Sequence, residues 1–413
     1  MARFTLITNA NVVDVELGCV REARSIVIGS GGRIESVLAG DAPKEYWAET
    51  LDAEGAYVCP GLIDAHVHLF LNGGEDPLKT FLASDTEAAI RTATANAAQA
   101  LAAGITTVRD CGGPADLVLR FQRMVETGEI LGPQVFSSGA PLTRRRGHCH
   151  FFGGEVSSAG EARSTVENQL RKGAGFVKLI ASGGGLTPGT RPSEADLPLD
   201  IMREAVAAAH ANGVHVAAHC HATESIVRAL DAGVDIIEHA SFVEPNGTPR
   251  FDYEISARIR DQGAVVSPTV ISGVRIAQTL RRSAGTSGLD HAAIERLEAR
   301  RHHAALFHDL GVRIIAGSDC GVAGTRFDSL LDEIATYEYA GISRAAALRS
   351  ATSGSAGYLG RPELGQVKAG CMADLVFLNE NPLEKLTALK QSILVMRNGV
   401  IVCDRRDVPA GVR

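Results

Sequence analysis

Short apolar runs alternate with longer amphipathic segments along most of the chain, and few folds accommodate this alternation. Eight of the runs are typical of buried strands: LIDAHVHLF (62–70), TTVRDCG (106–112), PQVFSSG (133–139), FVKLIASG (176–183), VHVAAHCH (214–221), DIIEHAS (235–241), AVVSPT (264–269) and VRIIAGSD (312–319). Helical patterns fill the longer intervals, as in residues 87–103, 158–173, 199–212 and 290–310. Repeated strand–helix units build parallel sheets, so eight units predict an α/β protein with a (β/α)8 TIM barrel.

The two ends of the chain have a different pattern. Residues 1–58 and 363–413 contain short alternating strands separated by turn-forming residues, as in SIVIGSGGRIESV and SILVMRNGVIVCD. Each end is short for an independent domain. We therefore expect the two termini to build one small β-sandwich, 1–58 plus 363–413, beside a barrel domain of residues 59–362.

Charge and hydropathy exclude several classes of partner. The net charge is −7 and the largest basic cluster is Arg144-Arg145-Arg146, so the chain lacks a basic surface for nucleic acid. No run approaches the ~18 apolar residues of a membrane span, and the first residues lack the apolar stretch of a signal peptide. We expect a cytoplasmic homo-oligomer that acts on a small molecule and has no nucleic-acid or membrane partner.

The cysteines are spread singly, without a CxxC pair. They occupy positions 19, 59, 111, 149, 220, 320, 371 and 403. In a reducing compartment this distribution is typical of buried free thiols. We expect neither disulfides nor a cysteine-based zinc site.

Polar residues lie at the carboxyl ends of the expected strands, where barrel active sites form. His66 and His68 close the first run, and their period-two spacing puts both imidazoles on one face. His219, His239 and Asp319 end three other runs. A single HxH motif could also consist of two hydrogen-bonded histidines in the core. Four histidines and an aspartate at one rim are costly to bury without a cation, so the pattern favours a divalent metal site.

Lys178 lies within an apolar run in a chain that has 34 arginines and 7 lysines. A lysine in an apolar strand pairs with an anion, extends to the strand end or loses its proton. An uncharged amine can react with CO2 to give a carbamate, which arginine cannot do because it does not deprotonate in proteins. Lys178 therefore indicates either an ion-paired core lysine or a carbamylated lysine that bridges two cations.

In combination these motifs resemble the metal-dependent amidohydrolase superfamily. The resemblance rests on PGLIDAHVHL, FVKLIASGG, HVAAHCH, IIEHAS and AGSD, with the terminal segment GCMADLVFLNENP, and covers nearly the whole chain. The motifs are most similar to the binuclear branch with a carbamylated lysine, near its imidazolonepropionase-like, prolidase-like and ochratoxin-amidase-like members. The resemblance implies cleavage of an amide C–N bond, such as that of an N-acyl amino acid, a dipeptide or an aryl amide.

The resemblance also implies two divalent cations, with zinc expected first and manganese, cobalt or iron as alternatives. The implied ligands are His66, His68 and Asp319 for the more buried metal, His219 and His239 for the more exposed metal, and carbamylated Lys178 between them. A hydroxide between the metals would attack the carbonyl. Asp319 would orient it, take its proton and pass that proton to the leaving nitrogen.

Two loops supply further candidates for contact with substrate. The segment RRGHCHFFGG contains His148, expected to assist the scissile carbonyl, and His150 as the lesser alternative, although either can be a surface histidine. Prolidase-like relatives often carry HxY after the fifth strand, whereas this chain has His219-Cys220-His221. His221 is therefore a candidate substrate contact, and the inference to dipeptides is weaker. Arg144 is a candidate carboxylate clamp, although such arginine runs are more often solvated.

Two acidic residues lie close to the expected ligands in sequence. Asp64 precedes His66 by two positions, so we expect it on the same side, as a hydrogen-bonding partner of that histidine. Glu238 directly precedes His239. Strict alternation would turn Glu238 the opposite way, toward a helix.

The same barrel supports other chemistries, which stay open as alternatives. A lactone, phosphotriester or carbamate hydrolase would keep Lys178. A mononuclear aminohydrolase, or deaminase, generally lacks a bridging lysine, so Lys178 disfavours it. A non-catalytic scaffold is disfavoured because each implied ligand position is filled.

Overall fold

The computed structural model of the chain describes residues 5–40, 49–283 and 291–406. In chain order its strands are β1 (Thr5–Asp14), β2 (Cys19–Ile28), β3 (Ile34–Ala39), β4 (Glu49–Asp52), β5 (Tyr57–Pro60), β6 (Leu62–Val67), β7 (Ile105–Asp110), β8 (Gln134–Ser137), β9 (Thr143–Arg144), β10 (Glu155–Val156), β11 (Val177–Ile180), β12 (Val216–Ala222), β13 (Ile236–Val243), β14 (Val265–Ser267), β15 (Arg313–Ile314), β16 (Leu375–Leu378), β17 (Ser392–Arg397) and β18 (Val400–Asp404). Its α-helices are α1 (Pro77–Leu82), α2 (Thr86–Ala102), α3 (Ala115–Glu126), α4 (Ala159–Arg171), α5 (Leu199–Ala211), α6 (Thr223–Ala232), α7 (Tyr253–Asp261), α8 (Val270–Ser283), α9 (His291–Asp309), α10 (Leu330–Tyr339), α11 (Arg344–Ser350) and α12 (Ser353–Tyr358).

The predicted apolar runs all form parallel strands. They assemble into two sheets, β6-β7-β8 and β11-β12-β13-β14-β15. Backbone hydrogen bonds join the sheets at both seams: the N–H of Gly175 donates to Ser137 O at 2.9 Å, and that of Ala65 donates to Ala316 O at 2.9 Å. The predicted α/β class is confirmed, and the carboxyl ends of neighbouring strands meet at one rim.

The helices occupy the predicted intervals, and some of them, such as α2 and α4, begin at side-chain caps. Asp85 accepts from the N–H of Ala88 at 2.7 Å at the start of α2, and Ser158 accepts from the N–H of Glu161 at 3.2 Å at the start of α4. The small residues of α2 share one buried cluster with the outer side chains of β7, which seats this helix close to the sheet. None of the helices in the described ranges is both long and apolar enough to span a bilayer.

Both ends of the chain contribute to one mixed sheet. Its order is β18-β17-β16-β5-β1-β2-β3, with β4 beside β1. Strand β5 pairs with β1 from the N-terminal end and with β16 from the C-terminal end. The boundaries at 58 and 363 and the arrangement as a two-layered sandwich stay predictions.

Strand β5 runs into β6 through Gly61 alone. A Cβ at Gly61 would lie 2.1 Å from Thr106 Oγ1, so this close approach requires glycine. The terminal sheet and the strand that carries His66 are therefore one continuous segment.

The cysteines differ in exposure. Six are buried, as predicted, but Cys19 is exposed and Cys403 is half-buried. These two lie on β2 and β18 of the terminal sheet, where the ends of both strands face solvent. The prediction of a buried thiol is therefore wrong at these two positions.

Candidate metal centre

The implied ligands all line one cavity of about 510 Å3 at the carboxyl ends of the parallel strands. From the strands come His66 (β6), Lys178 (β11), His219 and His221 (β12) and His239 (β13), while His68 and Asp319 lie just beyond β6 and β15. Residues far apart in sequence are thus brought together as predicted from their positions at strand ends.

The imidazoles of His66 and His68 both direct Nε2 toward Asp319. Each Nε2 lies 3.5 Å from Asp319 Oδ1. Nδ1 of His66 is 2.7 Å from Glu238 Oε2, and Nδ1 of His68 is 2.9 Å from Gly112 O. Because both partners accept hydrogen bonds, each Nδ1 carries a proton, so Nε2 is the metal-binding nitrogen of each ring in its neutral form. Two such nitrogens beside a carboxylate are a donor set that suits a divalent transition metal.

Burial and neighbouring charge oppose each other at this first cluster. Burial raises the pKa of Asp319, but His66 and His68 outweigh burial, because both imidazoles are charged in the acidic range where Asp319 titrates, and they hold this pKa below its ordinary value. Burial lowers the pKa of His66 to about 4. At neutral pH Asp319 is therefore ionised and His66 neutral, which are the forms that bind a metal.

His219 and His239 form a second donor pair. Nε2 of His239 lies 2.9 Å from Nδ1 of His219. The other ring nitrogens are held by oxygen atoms, His239 Nδ1 by Thr269 Oγ1 at 2.7 Å and His219 Nε2 by Gly183 O at 3.2 Å. Burial, with the neighbouring charges, lowers the pKa of both rings well below the ordinary value. The pair therefore presents two neutral nitrogens to the cavity.

His221 lies against this second pair. Its ring centroid is 4.4 Å from that of His219 and 4.5 Å from that of His239, and Nδ1 is 2.9 Å from Ser241 Oγ. One ligand atom from each of the three rings lies within 4.8 Å of the others. The sequence predicted a substrate contact at His221, and its position in the cavity also makes it a possible third nitrogen ligand.

Strand β13 leaves regular geometry where it presents His239. The φ angles are 66° at His239 and 45° at Ala240, in the left-handed region that residues other than glycine rarely adopt. The bend interrupts strict alternation, so that Glu238 and His239 both face the interior. The prediction that Glu238 turns toward a helix is therefore wrong. Strained backbone of this kind clusters at functional sites.

Glu238 holds the imidazole of His66 in place. Its carboxylate accepts from His66 Nδ1 and from the buried guanidinium of Arg109. Burial raises the pKa of Glu238, but the charges of Arg109 and Lys178 outweigh burial and hold it below the ordinary value. Asp64, expected to be the partner of His66, instead accepts from the backbone N–H of His66 at 3.2 Å and from Ser318. Asp64 therefore orients the backbone, and Glu238 orients the ring.

The amine of Lys178 is buried without a hydrogen-bond partner in the part of the chain that the structure describes. Its side chain is 1% exposed. The carboxylate oxygen Glu238 Oε1 lies 3.8 Å from Nζ, beyond hydrogen-bond distance, and already accepts from Arg109. Leaving such an amine unsatisfied is costly. A carbamate on Lys178 would fit this position, because its oxygens would be further donors for cations held by the two clusters.

Of the two loop histidines, His148 lies in the cavity. Its ring centroid is 4.8 Å from that of His219, and a Cβ at Gly184 would lie 2.5 Å from its Nε2, so the glycines after β11 make room for the ring. Burial lowers the pKa of His148 to about 3. His150 instead bonds through Nδ1 to Gly147 O at 3.0 Å and is not among the residues that line the cavity.

The expectation for Arg144 requires correction. Its Nε lies 3.1 Å from Asp196 Oδ1, and Nη1 donates to Arg145 O. The guanidinium is thus neutralised within the protein, and Arg144 does not belong to the cavity lining. A carboxylate clamp at Arg144 is therefore not supported.

Two other arginines, which no sequence motif marks, line the cavity. Arg296 and Arg300 lie four residues apart on α9, so they share one face of the helix. This spacing was the available signal, but α9 contains several arginines and the sequence does not show which face meets the cavity.

Comparison with known proteins shows which class of protein this chain is similar to. Ochratoxinase of Aspergillus niger is 27% identical over 384 residues, which cover 85% of this chain and 76% of that protein. A solved prolidase complexed with N-methylphosphonate-L-proline is 27% identical, with a TM-score of 0.85 and coverage of 97% and 100% of the two chains. An Xaa-Pro dipeptidase with methionine in its active site has a TM-score of 0.86 at 24% identity, covering 96% and 99%, which shows the shared fold.

The fold is TIM-barrel-like α/β. The match to a family model supports a hydrolase that acts on C–N bonds. The model of the amidohydrolase family matches residues 57–402, from β5 to β18. The chain therefore belongs to the amidohydrolase family, whose general activity is metal-dependent amide hydrolysis.

Proposed function

We propose that the protein is a binuclear metal-dependent hydrolase that cleaves an amide C–N bond of a small molecule. The observation that carries this proposal is the presence, in one cavity, of two metal-donor clusters and the buried amine of Lys178, which has no hydrogen-bond partner among the described residues. A site for one cation would use one cluster and would leave the amine without a role. The ochratoxinase and prolidase relatives support an amide as the substrate bond.

The two cations would be held by different strand ends. His66, His68 and Asp319 would bind one, His219 and His239 would bind the other, and a carbamate on Lys178 would offer an oxygen to each. Zinc is the expected metal because the set is rich in imidazole, and manganese, cobalt or iron suit the same donors. When bound, such cations lower the pKa of water and polarise a carbonyl.

Asp319 is the residue to which we assign proton transfer. Oδ1 faces His66 and His68, and Oδ2 is 3.2 Å from Ser272 Oγ, which fixes the carboxylate. Because its pKa lies below the ordinary value, Asp319 enters the reaction ionised. It would accept a proton from the attacking water and deliver it to the leaving nitrogen.

His148 is the residue to which we assign contact with the substrate carbonyl. It is neutral at physiological pH because burial lowers its pKa to about 3, and its Nδ1 has no partner in the described ranges. A neutral imidazole can donate one N–H to an oxygen that gains negative charge during the attack.

The remaining expectations about architecture and setting are also proposals. Hydrogen bonds at both seams support one closed eight-stranded barrel, and the mixed terminal sheet supports a β-sandwich. A small-molecule substrate, a cytoplasmic location and a homo-oligomeric state complete the proposal.

Metal analysis combined with a substrate panel tests the function. Protein prepared with bicarbonate and zinc or manganese should bind close to two cations per chain and hydrolyse members of an amide panel. A stoichiometry near one together with release of ammonia from aminopurines would favour a deaminase. If the protein hydrolyses only lactones or phosphotriesters, the proposal of amide hydrolysis is wrong and the site catalyses the alternative reaction.

A further inference from the structure

One side of the candidate active-site cavity is cationic. Arg296 and Arg300 of α9 both line it, and Arg300 is 5% exposed. Neither guanidinium has an ion pair with a carboxylate of the described ranges, in contrast to Arg144, which pairs with Asp196. Two like charges four residues apart on a helix repel each other. An anion in the cavity would relieve this repulsion.

Arg300 is held so that one edge of its guanidinium is fixed. Nη1 donates to Thr269 O at 3.2 Å, to Thr269 Oγ1 at 3.1 Å and to Ser272 Oγ at 3.2 Å. Its Nη2 donates no hydrogen bond within the described part of the chain and, unlike the enclosed Nε, is not fully buried. A preorganised guanidinium with an unused donor suits a carboxylate, which accepts hydrogen bonds in the same planar geometry.

The surroundings of the two arginines indicate what accompanies the anion. Ile276 and Leu280 of α8 and Leu297 of α9 line the same cavity. The acidic residues of the lining that lie outside the metal-donor set, Glu75 and Asp76, come from the segment before α1 rather than from α8 or α9. The α8–α9 side therefore combines positive charge with apolar surface.

We infer that Arg296 and Arg300 bind a carboxylate of the substrate, and that the substrates are N-acyl amino acids with a free carboxylate and an apolar side chain. This inference rests on the proposed function, because it names the substrate class of the same site. It assigns to α9 the contact that the sequence suggested for Arg144.

A matched pair of substrates tests the inference. Metal-loaded protein is given N-acetyl- and N-benzoyl-L-leucine and the corresponding L-leucinamides, and release of the acyl acid is measured. We expect kcat/KM to be at least about tenfold higher for the free carboxylates, because each charge-assisted hydrogen bond contributes to binding. Arg296→Met should reduce this preference about tenfold or more, mainly through KM, and Arg296→Lys should retain part of it.

Arg301→Met is the matched control, because Arg301 is exposed on the same helix and does not line the cavity. It should keep the preference for the carboxylate. Equal turnover of acids and amides by the wild type, or equal losses on both in Arg296→Met, would overturn the inference and leave amide hydrolysis standing.

Calorimetry separates the inference from the proposed function. The metal-loaded protein could hydrolyse none of these compounds and still bind N-benzoyl-L-leucine. If that binding weakens in Arg296→Met, the carboxylate site is supported and the proposed amide hydrolysis is not. Absence of binding, or equal binding of the leucinamide, overturns the carboxylate site.

Discussion

Glu238 Oε2 lies 2.7 Å from Nδ1 of His66, and both side chains are fully buried. The carboxylate fixes the tautomer of the ring, so that Nε2 faces Asp319. Glu238 is paired with Arg109 at the same time, which places a charged network behind a candidate metal ligand. Its removal should therefore affect both metal binding and stability.

Glu238→Gln should weaken the first metal site. We expect affinity for zinc to fall about tenfold to a hundredfold, because the amide is a poorer acceptor for His66. We also expect a loss of about 3 kcal/mol in the free energy of unfolding of the metal-free protein, because Arg109 keeps its charge without a buried partner. Chelator competition and urea unfolding measure the two effects.

Glu129→Gln is the control for this change, since Glu129 is exposed and distant in sequence from the network. It should leave both quantities unchanged. An unaltered zinc affinity in Glu238→Gln would show that the ring of His66 needs no anchor.

Lys178→Ala should abolish turnover and reduce the bound metal below two per chain. Short carboxylic acids should restore part of the activity if they supply the bridging oxygens. Lys172→Ala, at an exposed ion pair with Asp116, is the control. Full activity of Lys178→Ala would be incompatible with the binuclear proposal.

His148→Ala should lower kcat by about a hundredfold while metal content stays near two, as expected for loss of one donor to the transition state. His150→Ala should have a small effect, because His150 does not line the cavity. Parallel loss of metal and activity in His148→Ala would make the residue a ligand or a structural support.

A second pair of variants moves the ring of His148 without removing it. A Cβ at Gly184 would lie 2.5 Å from Nε2, whereas a Cβ at Gly185 has no heavy atom within 4 Å. Gly184→Ala should therefore lower kcat, and Gly185→Ala should behave as the wild type. Equal activity of the two variants would argue against a fixed position for His148.

The metal-free protein should lose stability as the pH falls below about 6.5. Burial lowers the pKa of His66 to about 4 and that of His148 to about 3. Unfolded histidines titrate near 6.5, so the unfolded state binds these protons first. The stabilisation is complete above about pH 7 and is lost as the pH falls toward the folded values. Each group adds a slope of about 1.4 kcal/mol per pH unit within this window.

Urea unfolding between about pH 7.5 and pH 4.5 measures this slope. His148→Gln should make it shallower, because one buried group is removed. His291→Gln, at an exposed position on α9, should leave it unchanged. The same slope in His148→Gln and in the wild type would contradict the assignment.

The strands and the position of the candidate donors at the rim followed from the sequence because local pattern determines both. A buried parallel strand is a continuous apolar run, and a polar residue at its end lies at the rim regardless of the rest of the fold. His66, His219 and Asp319 were predictable on that basis. The direction of the Glu238 side chain was not predictable, because the positive φ at His239 breaks the alternation of side chains along β13. Arg296 was not, because helix packing decides which face of α9 meets the cavity.

Strand β5 pairs with β1 before it and with β16 far after it in the chain, which affects when the terminal sheet can form during synthesis. The segment with β5, Gly61 and His66 is synthesised long before β16, the strand that pairs with β5. Asp319, which faces His66, is also a late residue. The strand that carries the first ligands therefore emerges long before its sheet can be finished. We expect the donor cluster to form only once Asp319 has been synthesised and β16 has joined the sheet.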